Sequence, residues 1–311
     1  MQSRSTAVLT EADFRDLYDR LRGSVPWPPD DRRGALNYLG PEQVRAAAAE
    51  VRLGRTVSLG APVEARHAAD NPEPARHPMT GTADQAAATG LSFATDRLEM
   101  NVHGNVDSHL DALCHIMYDG HLYNGVPASA VTPKGAVELS LDMDADGIVG
   151  RGVLLDIPPL RGVPWLEPGD HVLAADLLAA EEAQGVRVGR GDLLFVRVGH
   201  RQRRDELGAW DVASERAGLH PTAMEFIAER QVAVLGSDSN SDAAGSDTVQ
   251  TEFPVHVLAI NALGVQLLDY LQFEELVPVC RETGRWSFLC VIAPLRLPAG
   301  TGSPVNPIAI L

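Results

Sequence analysis

Two histidines and two aspartates crowd into the run Asn105-Val-Asp107-Ser-His109-Leu-Asp111-Ala-Leu-Cys-His115. Four of the chain's ten histidines (His103, His109, His115 and His121) fall between positions 103 and 121. A core would have to satisfy every one of those polar groups. A divalent metal uses them directly, because imidazole nitrogen and carboxylate oxygen are its ordinary ligands. If Val102 to Leu110 is a strand, alternation puts Asn105, Asp107, His109 and Asp111 on one face. His109 and Asp111 then stand about 6.5 Å apart along the strand, close enough to share an ion. On a straight strand His115 would lie about 13 Å beyond Asp111, so it joins the site only if the chain bends or turns helical after Ala112. The competing reading is a set of hydrogen-bonded histidines near a sheet edge.

The elements that must position this cluster read as mixed α/β in one unit. A first helix is expected from Glu11 to about Leu21, with Thr10 as N-cap and Gly23 beyond its end. A second opens with Pro41 in its first turn and runs through Val44–Val51 to Gly54. Residues 61 to 90, rich in Pro, Ala, His and Gly without a period, read as a long surface loop of the kind that often forms a lid. Gly152–Ile157 and Asp192–Val198 are apolar runs of buried-strand type, with a helix from Ala174 to Ala183 between them. Pro221 starts a helix that ends near Arg230, ahead of a strand at Val232–Leu235. Leu258 to Tyr270 reads as an apolar helix and Phe288 to Pro294 as a last buried strand.

Composition narrows the function classes. The net charge of −16 and pI near 5.0 set the surface against nucleic acid and anionic membranes. No run of about 18 apolar residues is present to span a bilayer, and the N-terminus lacks a secretory apolar stretch. Three cysteines without a C-x-x-C fit a reducing cytoplasm better than a disulfide framework. Cys114, inside the motif, faces away from the ligand face if alternation persists, and reads as a small core residue.

His109-Leu-Asp-Ala-Leu-Cys-His115, followed by Tyr118-Asp-Gly and Tyr123-Asn-Gly125, resembles the metal-binding signature of the cyclase family, which includes bacterial kynurenine formamidase and isatin hydrolase. Trp27-Pro-Pro-Asp-Asp31 leading to Gly34-Ala-Leu-Asn37, Asn71–His77, Phe253-Pro-Val-His256 and Gly302–Pro307 resemble the longer, actinobacterial-looking members. The likeness therefore runs from about residue 27 to the C-terminus. It implies one mixed α/β domain over 1–311 with the swivelling β/β/α cyclase fold, residues 1–55 forming a helical extension packed on it. It also implies a Mn2+ or Zn2+ cofactor, a small-molecule substrate, and a homo-oligomer, dimer or tetramer.

The same resemblance completes the metal site with His256 and Asp269, the latter standing where kynurenine formamidase has Glu. For His256 the other reading is a strand-end or N-cap histidine, and for Asp269 a solvated helix residue. Gln266, one helical turn before Asp269 on the expected helix, is the fallback ligand. One departure bears on nuclearity. The formamidase histidine four residues before His109 is here Asn105, and the usual Gly-Thr before His109 is Asp107-Ser108. Asparagine is a poor ligand for zinc or manganese, so a single ion held by His109, Asp111 and Asp269 or Gln266 is the economical expectation. His103, one pleat further along the strand, and Asp107 are candidates to fill the gap. Together with Asn105 they are also expected to face the substrate.

His115 matches the family's general acid/base. A divalent ion lowers the pKa of water towards about 7 and polarises a carbonyl, so hydroxide can attack an amide, lactam or ester while His115 protonates the leaving atom. Asp238, in the loop after the strand ending at Leu235, is either a substrate contact or part of an Asx turn. Two other functions compete with hydrolysis: a cyclase or lyase using the same ion without net hydrolysis, and a metal-depleted binding protein.

Overall fold

Thr10 caps the first helix, α1 (Glu11–Gly23), in a reciprocal capping box with Asp13, and the helix buries the stripe Phe14, Leu17, Tyr18 and Leu21. A short second helix, α2 (Pro41–Ala48), begins on Pro41 as expected and stops before Val51. The computed structural model describes residues 8–83 and 90–311; part of the expected 61–90 loop, residues 84–89, lies outside them. The described part of that segment is irregular apart from a small ribbon pairing Met79–Gly81 with Thr95–Asp96.

One nine-stranded mixed sheet organises the described chain. Its strands are β1 (Thr56–Ser58), β2 (His109–Asp111), β3 (Ile148–Asp156), β4 (Leu193–Arg197), β5 (Val234–Ser237), β6 (Gln266–Asp269), β7 (Ser287–Ile292), β8 (Gly302–Pro304) and β9 (Ile308–Ile310). They lie side by side as β1-β9-β7-β3-β4-β5-β6-β2-β8. The run β3-β4-β5-β6 is parallel and every other pairing is antiparallel.

Parallel neighbours need crossovers, and helices supply them. α3 (Ala174–Gln184) joins β3 to β4, while α4 (His200–Leu207) and α5 (Met224–Arg230) join β4 to β5. α6 (Pro254–His256), continued by π-helical turns over Val257–Leu263, joins β5 to β6, and α7 (Leu276–Thr283) follows β6. Strands covered on both faces should be apolar throughout; all residues of β4, β5 and β6 are buried, whereas β7 alternates. Tyr18 on α1 donates its hydroxyl to Asn261 Oδ1 at 2.7 Å, anchoring the N-terminal helix to the π-helical turns that follow His256. Among the described residues, no helix is long and apolar enough to cross a membrane.

Two expectations for the local structure are corrected. The apolar run Leu258–Tyr270 is not one helix: it ends at Leu263, turns at Gly264 and becomes β6. Gly264 has φ of +69°, and a side chain there would meet the Tyr123 ring at 2.6 Å and Gly34 Cα at 2.8 Å, so the break is built into the packing. The strand expected from Val102 is also shorter, spanning only His109–Asp111. Residues just before it are tied down by side chains instead. Asp107 accepts the Glu64 N–H, while Ser108 Oγ accepts the Ala61 N–H and donates to the Tyr270 carbonyl. Such local bonds compete with a ladder.

Candidate metal centre

β2 runs between β6 and β8, with His109 opposite Asp269 and Asp111 opposite Leu267. Residues directly opposite in an antiparallel pair share a face, so His109, Asp111 and Asp269 converge on one side of the sheet. Asp111 and Asp269 are fully buried.

Each ligand-type side chain is held from behind. Asp269 Oδ2 accepts from Asn240 Nδ2 at 2.6 Å, and its Oδ1 accepts from Ser241 N and Oγ at 3.1 and 2.8 Å. His109 Nδ1 donates to the Asp107 carbonyl at 2.9 Å, which leaves Nε2, 3.7 Å from Asp111 Oδ1, as the lone-pair nitrogen. His256 sits at the start of the α6 segment. Asp242 takes the backbone N–H groups of Val255 and His256 and also the His256 Nδ1–H, the last at 2.6 Å. His256 Nε2 then faces Asp111 Oδ2 at 3.5 Å and Asp269 Oδ2 at 3.3 Å. Neighbouring donors around one tetrahedral zinc stand about 3.4 Å apart.

The electrostatics call for a cation. Asp111, Asp242 and Asp269 are all at most 1% exposed around one imidazole, and Asp111 Oδ2 has no hydrogen-bond partner. Burial opposes charging His256, yet the carboxylates of Asp111, Asp242 and Asp269 outweigh it and hold the imidazole well above its usual range. Burial likewise acts to raise the Asp111 carboxyl, but His115, His103, His256 and His109 pull it well below the ordinary value. A divalent ion satisfies that all-N/O donor set. Cys114 is buried away from it, its thiol pushed up to about 11 by burial, as a core residue should be.

His115 enters the site because the chain turns after Ala112, the His115 N–H donating to the Ala112 carbonyl. Its Nε2 lies 4.0 Å from Asp111 Oδ1, and its ring stacks on His103 at 3.8 Å with 7° between planes. Burial is the main cause that lowers its pKa to about 4. His103 reaches Asp111 from outside the strand, with Nδ1 2.8 Å from Oδ1 and Nε2 3.0 Å from Thr301 Oγ1.

The other expected residues are placed differently. Gln266 belongs to a strand, where an odd separation from Asp269 sends it to the opposite face; there its Nε2 donates to Asp144 Oδ2 at 2.6 Å. Asp107 is spent on the Glu64 N–H, with its carboxyl raised by burial. Asn105 lies beside the cluster, its Oδ1 accepting from the Tyr270 hydroxyl at 3.4 Å. Asp238 is engaged by backbone: it accepts the N–H groups of Val198, Gly199 and His200 at 2.7–2.9 Å, at the start of α4, and burial pushes its carboxyl up to about 7. Sequence reasoning missed Asp242, Asn240, Ser241 and Thr301. The first three were in plain view in Ser237-Asp-Ser-Asn-Ser-Asp242, where the second aspartate and not the first serves the site.

The family model described as "Putative cyclase" matches residues 35–242, more than half of the chain. The chain belongs to that cyclase family. The matched span contains His109, Asp111, His115 and Asp242, whereas His256 and Asp269 lie beyond it. Isatin hydrolase from Roseibium aggregatum is 28% identical over 149 residues, 46% of this chain and 53% of that protein, so the match spans about half of that relative. A solved structure described as a novel cyclase superposes with a TM-score of 0.85 at 30% identity, covering 94% of this chain and 99% of the other. Isatin hydrolase A from Labrenzia aggregata shares the fold at a TM-score of 0.60 and 21% identity, with 86% and 97% covered. The buried His/Asp cluster gives this cyclase-family chain a donor set that could hold a metal ion.

Proposed function

We propose that this cyclase-family chain hydrolyses a small amide, lactam or ester with a divalent ion, Mn2+ or Zn2+, held by Asp111, His256, Asp269 and His109. The observation that carries the reading is the convergence of these donors, 3.3–3.7 Å apart, around the buried Asp111, whose Oδ2 has no hydrogen-bond partner. The partial likeness to an isatin hydrolase supports a cyclic amide as one substrate to try.

An ion bound there supplies Lewis acidity towards a carbonyl and an activated water. The protein's own groups do the rest. Asp242 holds the Nδ1 proton of His256 and the Asp107 carbonyl holds that of His109, so both rings present Nε2 to the cluster. Asn240 and Ser241 keep the Asp269 carboxylate oriented. His115, lowered to about 4, is a neutral imidazole at neutral pH. It can therefore accept a proton at Nε2 from the attacking water and return it to the departing nitrogen or oxygen.

The test is turnover of isatin, N-formylkynurenine and simple aryl esters by protein loaded with Mn2+ or Zn2+. Hydrolysis that stops on chelation and returns with metal supports the reading. Stoichiometric metal without hydrolysis of any lactam, amide or ester in the panel would contradict it.

A further inference from the structure

Tyr270 directly follows Asp269 and has φ of +55°, a left-handed conformation that is sterically costly for an aromatic residue. Its ring is buried and lies 6.3 Å from the His109 ring, tilted by 32°. The bonds made by its peptide show what holds the turn. The Tyr270 N–H donates to the Ser239 carbonyl at 3.0 Å. Its own carbonyl accepts twice, from Ser108 Oγ at 2.6 Å and from Arg201 Nη2 at 3.0 Å. The same Nη2 also donates to the Val106 carbonyl.

Those contacts close the end of a ladder. His109 opposite Asp269 is the pair at which the β2–β6 ladder stops. Past it, one guanidinium nitrogen joins the chain entering β2, at Val106, to the chain leaving β6, at Tyr270. Between Val106 and Ser108 lies the Asp107 carbonyl, which takes the His109 Nδ1 proton. Both neighbours of that carbonyl are therefore tied to Arg201 or to the carbonyl that Arg201 holds.

A buried cation is an expensive way to join two carbonyls unless its strength is needed. Arg201, on α4, is 8% exposed, and among the described residues no carboxylate pairs with it; Glu274, Asp238 and Asp107 act on it only at a distance. Arg204, one turn further along α4, pairs instead with Asp70. Hydrogen bonds from a charged donor are roughly twice as strong as neutral ones, which suits a clamp that holds Tyr270 against its steric preference. The clamp has a fixed base, because Asp238 accepts the N–H groups at the start of α4.

We infer that Arg201 is a positioning residue: its guanidinium sets the spacing and orientation of His109 and Asp269 by holding the backbone beside each of them. This rests on the metal-hydrolase reading for the existence of the centre, but its test requires no substrate.

The experiment loads metal-stripped protein with Co2+, whose visible spectrum reports ligand geometry, and measures Co2+ affinity by competition with a chelator. Arg201→Met should bind Co2+ roughly 10–100-fold more weakly than wild type and show a shifted spectrum. Arg201→Lys, whose ammonium carries three donors, should return both readouts most of the way to wild type. Arg204→Met, which breaks the Asp70 pair on the same helix, should lower the unfolding temperature and leave the spectrum unchanged. Should Arg201→Met fail to fold, Ser108→Ala removes the other donor to the Tyr270 carbonyl and should shift the spectrum in its place. A wild-type spectrum and affinity in folded Arg201→Met, or in Ser108→Ala where it stands in, would overturn the inference. So would an equal spectral shift in Arg204→Met, which would make the effect one of general destabilisation. Because Co2+ is read without turnover, full hydrolysis by wild type with no spectral change in Arg201→Met sinks only this inference. A wild type that binds Co2+ and hydrolyses nothing in the panel sinks only the proposed activity.

Discussion

The Asp242 carboxylate holds His256 twice, through the ring Nδ1–H at 2.6 Å and through the backbone N–H at 3.0 Å. One side chain thus fixes both where the α6 segment starts and which nitrogen of its histidine faces Asp111. Carboxylate partners of this kind orient a ligating imidazole and raise its basicity. Asp242→Ala should weaken metal affinity by roughly 10–100-fold while leaving the fold in place, read by competition with a chromophoric chelator. Unchanged affinity would remove Asp242 from the account.

His115→Ala separates proton transfer from metal binding. The variant should keep its metal and lose on the order of 10²–10⁴-fold in kcat. Burial sets the His115 pKa to about 4, so the base form dominates at neutral pH and activity should fall only as pH drops into the acid range. That acid limb should vanish in the variant. A metal-free His115→Ala protein would instead make His115 a ligand.

Gln266→Ala should leave the number of bound ions unchanged, because β6 turns Gln266 to the face opposite Asp269. Loss of an ion, counted by elemental analysis, would show that this face assignment is wrong.

Asp144 and Gln266 form a pair whose stability should depend on pH. Gln266 Nε2 donates to Asp144 Oδ2, while Asp144 Oδ1 and Gln266 Oε1 are both buried without partners. A protonated Asp144 can donate to that orphaned Oε1 and close a two-bond acid–amide ring. Burial pushes the Asp144 carboxyl up to about 6, with Gln266 and Arg33 opposing. The native state therefore keeps the proton over a range where the unfolded chain has released it. This contribution is complete below about pH 4 and is lost as pH rises through about 6. Asp144→Asn can make both bonds at any pH, so it should gain up to about 3 kcal/mol over wild type above pH 7 and little near pH 4. Thermal unfolding across that range checks it; an equal effect at both ends would exclude titration of Asp144.

The core of the centre was legible in the sequence because it is local. Alternation along a strand correctly paired His109 with Asp111, and the turn after Ala112 is what the spacing to His115 demanded. The expected mixed α/β fold is also what the chain adopts, with buried strands near 152–157 and 192–198. What was not legible depends on distant contacts. Leu258–Tyr270 is apolar throughout, so helix and buried strand look alike there, and only the close approach of Gly34 and Tyr123 to Gly264 forces the break. That break decides against Gln266. His103 shares the expected strand alternation with Asp111 but would stand eight residues away along it; it reaches Oδ1 because the strand begins only at His109 and the loop before it is braced by Thr301, almost two hundred positions away in sequence. Asp238 and Asp242 are chemically alike and four residues apart, and only the docking of α4 on one and α6 on the other separates their roles.

The most direct measurement of the central claim is the metal content of Asp111→Ala against wild type, both purified with Mn2+ or Zn2+ present and confirmed folded by circular dichroism. Asp111 belongs to every donor set at the centre, so wild type should carry stoichiometric divalent metal and Asp111→Ala essentially none, with hydrolysis lost in step. Full metal occupancy in folded Asp111→Ala would contradict the account.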